Sequence, residues 1–429
     1  MATLHDSDRK ALIHHFTQLG ICFNDGMWLP KRNRYRRDCI EKISRDTRPS
    51  RSIRQTHMAQ YIAASSLLHC LDGWGYLGRS IDCHTRGDAD SARHMGYYAE
   101  LRAAMSILAT EGIGVFDTRH FVVISPRECR ELTSPRGRTH RITWIILKNW
   151  ADSQISADLL GEIITPGGEI LKKWLSIFGA TLHPVGIKWL NEWGLDLKRL
   201  SEDRDARNEA SYRPTRLIHR NPLNTTLAAS FLYNLWDMTE PSGSSRFEKL
   251  DSHLLRLSLS NAYKGMRKLP GGFQGKIEVL LNALSISGFD KERWKRFLME
   301  REEAAIIREA SGTVTVNHPR HHIQVISRGA LLLRIATGAC ARLLRDCEID
   351  RTHLEFWWRP LGEERGFWTP GAEPDYLTDL WLDVKGVLDD EPGWEDTNSS
   401  SFPDWWKSRP KEFAVLGECE RIGLWGLEL

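Results

Sequence analysis

The chain has 429 residues, 41% hydrophobic and 27% charged, with a formal net charge of +3. At roughly 150 residues per domain, this length accommodates two or three cores. Its apolar content, with 33 glycines and 17 prolines, excludes collagen-like, low-complexity and wholly disordered chains.

Helical periodicity dominates from the start. Asp6 to Gly20 reads as a short amphipathic helix, and the charged opening MATLHDSDRK lacks the apolar run of an export signal. A basic stretch follows from Lys31 to Arg54, with ten Lys or Arg against three Asp or Glu. Tyr35 sits among these cations and Trp28 just before them, a mixture that suits phosphate backbones and base stacking. Lys31, Arg32, Arg34, Arg36 and Arg37 are therefore candidate nucleic-acid ligands, RNA or DNA. A solvated basic face, or one that docks the acidic end of the chain or a second subunit, fits the same residues.

From Ile53 to about Tyr76 apolar residues recur at three- and four-residue steps, with Gly73 and Gly75 read as the stop. Asp88 or Asp90 is placed to cap the next helix, which ends at Gly112. GVFDTRHFVVIS then reads as a small hairpin around Asp117 and Thr118. Helices resume at THRITWIILKNW, at Ile170 to Phe178 and at Ile187 to Trp193, followed by a polar helical segment broken at Pro214. Pro222 opens an apolar helix ending at Pro241, and PSGSS at 241–245 is the best candidate linker. Beyond it come helices over Phe247 to Tyr263, Lys276 to Leu284 and Lys291 to Ala310. A β-rich TVTV run at 313–316 precedes an apolar helix from Ile323 to Leu344, on which Arg328, Arg334 and Arg342 need partners or a route to water. Its most apolar part carries two of those arginines and falls short of the ~20 residues of a bilayer span.

The predicted fold class is mainly α: an N-terminal helix and basic segment (1–52), a helical bundle with a small β-hairpin (53–240), and a second α-helical domain with an acidic, Trp-rich end (246–429). From Asp346 to Leu429 there are 20 acidic and 8 basic residues, a net of −12, and eight of the 17 tryptophans. So many large apolar rings predict a folded cap, or a surface that docks a partner protein, rather than a solvated tail.

Few motifs carry chemistry. The eight scattered cysteines include no CxxC pair, which points to reduced thiols in a cytosolic protein with no membrane segment. His318, His321 and His322 lack a Cys or acidic partner at zinc spacing, so they read as a solvated loop, and neither metal nor cofactor is expected. LPGGFQGK at 269–276 is one residue short of a phosphate loop, with Ile277 where Ser or Thr belongs, and reads as a Gly-rich turn before a helix. SEDRD at 201–205 reads as a solvated face.

The segment Arg207-Asn208-Glu209-Ala210-Ser211-Tyr212, just before Arg213-Pro214, is the most informative. It resembles the motif of HEPN domains, and Tyr97-Tyr98-Ala99-Glu100-Leu101-Arg102-Ala103-Ala104 is similar to the early helix of such bundles. The likeness covers about Ile53 to Pro241, under half of the chain. It implies a helical bundle of the kind found in prokaryotic toxins and antiviral defence proteins. In catalytic members an Arg-x4–6-His motif from each of two subunits forms a metal-independent RNA-cleaving site. The resemblance would make Arg207 and Asn208 phosphate-holding residues, with Tyr212 assisting and His219, or a histidine of another subunit, transferring the proton.

This sequence departs from the family in having Tyr212 where histidine is expected. A phenol of ordinary pKa about 10 is a poor general base at neutral pH. His219 completes an Arg213-x5-His spacing, but across Pro214. The same residues fit a bland account: Arg207 pairing with Asp203 one turn back, Asn208 and Ser211 ending the helix, Tyr212 packing on Pro214. Whether the chain is an enzyme stays open, and a non-catalytic scaffold or sensor subunit, docking a partner protein or a second copy, is the alternative.

Overall fold

The computed structural model of the protein describes residues 3–46, 48, 52–180, 186–212, 223–242, 245–266, 271–389, 407 and 410–429. The first helices are α1 (Arg9–Phe23), α2 (Cys39–Asp46), α3 (Gln55–Thr85) and α4 (Ala89–Thr110). A three-stranded antiparallel sheet follows, ordered β1 (Ile113–Val115), β2 (His120–Ser125), β3 (Glu128–Glu131). Then come α5 (Thr139–Ala151), α6 (Gln154–Ile163), α7 (Leu171–Phe178), α8 (Gly186–Glu192) and α9 (Leu197–Tyr212). The second half holds α10 (Thr225–Met238), α11 (Glu248–Lys264), α12 (Gly272–Ala283), α13 (Gly288–Met299), α14 (Ala305–Ala310) and the long α15 (His321–Asp346). Last are α16 (Glu355–Arg365), α17 (Leu380–Asp389), α18 (Pro410–Leu416) and α19 (Glu420–Gly426).

Local chemistry accounts for several of these boundaries. The Asp88 side chain accepts a hydrogen bond from the Ser91 N–H, and Asn224 does the same for Leu227, so α4 and α10 begin on ordinary side-chain caps. The expected hairpin is present, with Ile113 opposite Val122, and β3 adds a third strand. Two expectations fail locally. Residues 313–316 form no strand, because no neighbouring edge pairs with them, and the single helix expected over Lys291 to Ala310 is broken between Met299 and Ala305 into α13 and α14.

The glycines of α3 do not stop it. The helix runs through Gly73, Gly75 and Gly78 to Thr85. A Cβ at Gly73 would stand 2.5 Å from Leu333 Cδ2, and one at Gly78 would run into the carbonyl oxygen of Gly417. These positions are bare because α15 and the C-terminal segment press against α3 there.

That contact also crosses the division expected at residues 241–245. Helix α15 is buried along its whole apolar length and packs between α3 and α4, and the buried apolar cluster is continuous from Ala11 to Leu429. A helix apolar on every side needs neighbours on every side, and α3 and α4 supply the ones the second half lacks. The helix is long and apolar enough to cross a bilayer, but its most apolar stretch lies wholly inside the protein. In the acidic region Trp358, Trp368, Trp381 and Trp425 are buried, with Trp425 against Trp236 and Trp381; Trp394, Trp405 and Trp406 lie outside the described residues.

Candidate functional site

Helix α9 divides the motif between two faces. Asp203, Ala206 and Arg207 point inward, whereas Asn208 is exposed and Tyr212 is 78% exposed. At 100° per residue, positions 207 and 212 diverge by about 140°, and the described part of the helix stays regular enough to keep them apart. Among the described residues Asn208 and Tyr212 instead line an outward recess with Asp205 and Glu209. The structure thus corrects the expectation that they join Arg207. His219 lies outside the described residues.

Arg207, 6% exposed, enters a pocket of rings supplied by α4 and α5. Its guanidinium carbon lies 5.3 Å from the Tyr97 ring centre and 5.4 Å from that of Tyr98. Its Nη2 is 3.3 Å from Nδ1 and 3.4 Å from Nε2 of His140, and the Tyr97 hydroxyl is 3.1 Å from the same Nδ1. Among the described residues no carboxylate lies within ion-pair range of Arg207, and its Nε has no hydrogen-bond partner. Asp203 does not pair with it.

A second imidazole stands on the other side of Tyr98, with the His94 ring 5.1 Å and the His140 ring 5.9 Å from the Tyr98 ring. Ser211 donates its one hydroxyl proton to the Arg207 carbonyl at 2.9 Å, so towards His94 Nδ1, 2.8 Å away, it accepts. That bond fixes the proton of His94 on Nδ1 and leaves the lone pair on Nε2. Both imidazoles are held below their ordinary pKa of 6.5. The causes are burial first and then the Arg207 charge, with Arg204 adding to the effect on His140. Tyr98 in turn stacks on Tyr76, ring centres 5.2 Å apart, and the Arg79 guanidinium caps Tyr76 at 4.9 Å. The result is a guanidinium, two neutral imidazoles and a half-buried pair of stacked phenols in one place. No family model matches the chain, and no curated protein or solved structure is similar to it.

Directly beneath lies a buried ionic cluster. Arg328 of α15 reaches Asp203 through Nε at 2.7 Å and Nη2 at 2.8 Å, and its Nε is 3.6 Å from Glu100 of α4. Burial, and then the neighbouring Asp203, raise the Glu100 pKa well above the ordinary 4.5, with Arg328 opposing. Glu100 is thus part of the bracing of the bundle. The other arginines of α15 are matched as well: Arg334 to Asp251 at 2.7 Å, Arg342 to Glu162 at 2.8 Å and Arg345 to Glu428 at 2.9 Å.

His321 and His322, expected in a solvated loop, are buried at the start of α15, where His322 meets His84 at 2.9 Å; His318 is exposed. Among the described residues no group of three or more His, Cys, Asp or Glu is placed to hold a metal ion. At the phosphate-loop look-alike, Gly271 and Gly272 adopt left-handed backbone just where α12 starts.

The basic segment separates its cations from its aromatics. Lys31, Arg32 and Arg37 are exposed, and Arg34 and Arg36 are half-buried. Tyr35 is 1% exposed, with its hydroxyl on Asp46, while Trp28 packs on Phe23, Phe356 and Trp357. The stacking rings expected among the cations therefore face inward. The residues that sequence reasoning missed are His94 and His140. His94 stands one turn before the singled-out Tyr98, but the closeness of His140 to Arg207 has no local signal.

Proposed function

We propose that this chain is a HEPN-like protein of a cytosolic prokaryotic defence or toxin-type system, and that it cleaves RNA without a metal at Arg207, His94 and His140. The observation that carries the reading is a buried guanidinium with no carboxylate partner among the described residues, flanked by two neutral imidazoles. Such a group lacks an anion, and a phosphodiester supplies one.

In this reading Arg207 binds a non-bridging phosphate oxygen. His94 Nε2 takes the proton of the ribose 2′-hydroxyl as the 2′-oxygen bonds to phosphorus. His140, easier to protonate once the phosphate offsets the charge of Arg207, delivers a proton to the departing 5′-oxygen. The products are a 2′,3′-cyclic phosphate and a 5′-hydroxyl end. Tyr98 and Tyr76 offer a face on which a base can stack. Assembly with a second copy, as in the family's composite sites, belongs to the same proposal.

Incubation of the purified protein with labelled RNA in EDTA tests it. Cleavage that vanishes in His94→Ala, His140→Ala and Arg207→Ala supports the assignment, and intact RNA at high protein concentration refutes it. Two observations favour a second reading, that of a non-catalytic scaffold or sensor subunit: Tyr212 stands where the family has histidine, and Arg207 is only 6% exposed. Intact RNA together with stable co-purification of a second protein would support that reading instead.

A further inference from the structure

The loop before α2 is built on alternation. Asn33 and Tyr35 turn inward and act as anchors. The Asn33 amide donates to the His57 carbonyl at 3.2 Å and to Gln60 Oε1 at 2.9 Å, and its Oδ1 accepts from the Tyr35 N–H at 2.8 Å. The Arg34 N–H donates to His57 Nδ1 at 3.0 Å, and Tyr35 reaches Asp46 at 3.1 Å. The cations around these anchors are consequently carried on a loop tied to both α2 and the first turns of α3.

Those side chains surround a recess of about 510 Å³. Among the described residues Lys31, Arg34, Arg36, Arg37, Lys42 and Arg54 line it together with Asn33, and no carboxylate does. Two of the six charges are already matched: Arg34 by Asp46 at 2.6 Å and Lys42 by Asp38 at 3.4 Å. Lys31, Arg36, Arg37 and Arg54 have no ion pair among the described residues. Four like charges held around one concavity repel one another until an anion enters. Among the described residues no aromatic side chain lines the recess, so none of them grips a base.

We propose that this recess binds clustered phosphate groups of single-stranded nucleic acid and is blind to base identity. Arg54 precedes α3, and Tyr76 lies roughly 33 Å further along that helix at its rise of 1.5 Å per residue, so the recess is separate from the Arg207 cluster. The inference therefore stands whether or not that cluster is catalytic.

Fluorescence anisotropy with labelled oligouridylate and oligoadenylate, using the full chain carrying His140→Ala in EDTA so that nothing is cut, provides the test. The two oligonucleotides should bind within about threefold of each other, with log affinity falling against log salt at a slope of about −3 for four contacts. Replacing Arg36 and Arg37 together by Gln should weaken binding at least about tenfold at low salt and flatten the slope by about 1.4, with an unchanged melting temperature showing that the loop still folds. Unaltered binding in that double variant would overturn the proposal. So would a strong preference for one base, or binding of inorganic triphosphate with none of either oligonucleotide.

Discussion

Two buried arginines stand at successive turns of α9 and are held in opposite ways. Arg328 arrives from α15 and meets a bidentate carboxylate, Asp203, with the Ala310 carbonyl taking a further N–H at 3.2 Å. Arg207, one turn later, meets two phenol rings and an imidazole and no carboxylate among the described residues. Both are buried. The first is complete without a ligand and braces three helices, whereas the second is an electrostatic remainder of the kind that binding and catalytic sites retain. Burial alone does not separate structural from functional arginines; the identity of the counter-group does.

The comparison breaks most visibly at Arg328. Arg328→Met leaves Asp203 buried and unpaired and should cost about 3–5 kcal/mol in chemical denaturation, most of it recovered when Asp203→Leu is added. A loss below about 1 kcal/mol would mean that the pair does not anchor α9.

Arg207→Ala should do the reverse: the protein stays folded, and RNA cleavage drops at least about 100-fold, near 2.7 kcal/mol of transition-state stabilisation. Equal loss of stability and activity would return Arg207 to a bracing role.

The histidines sharpen the contrast through pH. His94 and His140 sit below 6.5 because of burial and then Arg207, so His94, the base, stays neutral, and able to take the 2′-hydroxyl proton, below the usual imidazole range. Titration of their ring protons by NMR should give midpoints under 6.5 that move up towards it in Arg207→Ala. Midpoints that do not move would show that the guanidinium does not act on them.

The smallest effect is expected at Glu100. Burial and then Asp203 hold its pKa well above 4.5, which favours an uncharged group at this position, so Glu100→Gln should change stability by under about 1 kcal/mol. The sign is specific. As pH rises above 4.5 the unfolded chain releases this proton before the folded one does, so the wild type loses stability with rising pH and the Gln variant does not. A loss of several kcal/mol in Glu100→Gln would mean that Glu100 is ionised in the fold.

Much of the helical frame was readable from periodicity and punctuation, because caps and apolar spacing are local. Asp88, the hairpin at Asp117 and the stop of α10 before Pro241 all follow from neighbours in sequence. The misreadings share one cause. Gly73 and Gly75 resemble helix stops until Leu333, 260 positions after the first, and Glu420, beside the second, are seen to need their bareness. His321 and His322 resemble a polar loop until His84 is brought to them. Arg207 was readable as a residue of interest, but Asn208 and Tyr212 were grouped with it by adjacency, which a helix undoes by turning them outward.

By itself the sequence determined much of the helical frame, how charge is divided along the chain, and that the arginines of the long apolar helix must find partners. Only the tertiary structure decided which carboxylate each takes, which arginine is left without one, and which histidines stand beside it. Helix formation depends on residues within one turn. The pairing of a buried charge depends on which distant segments share the same dry space.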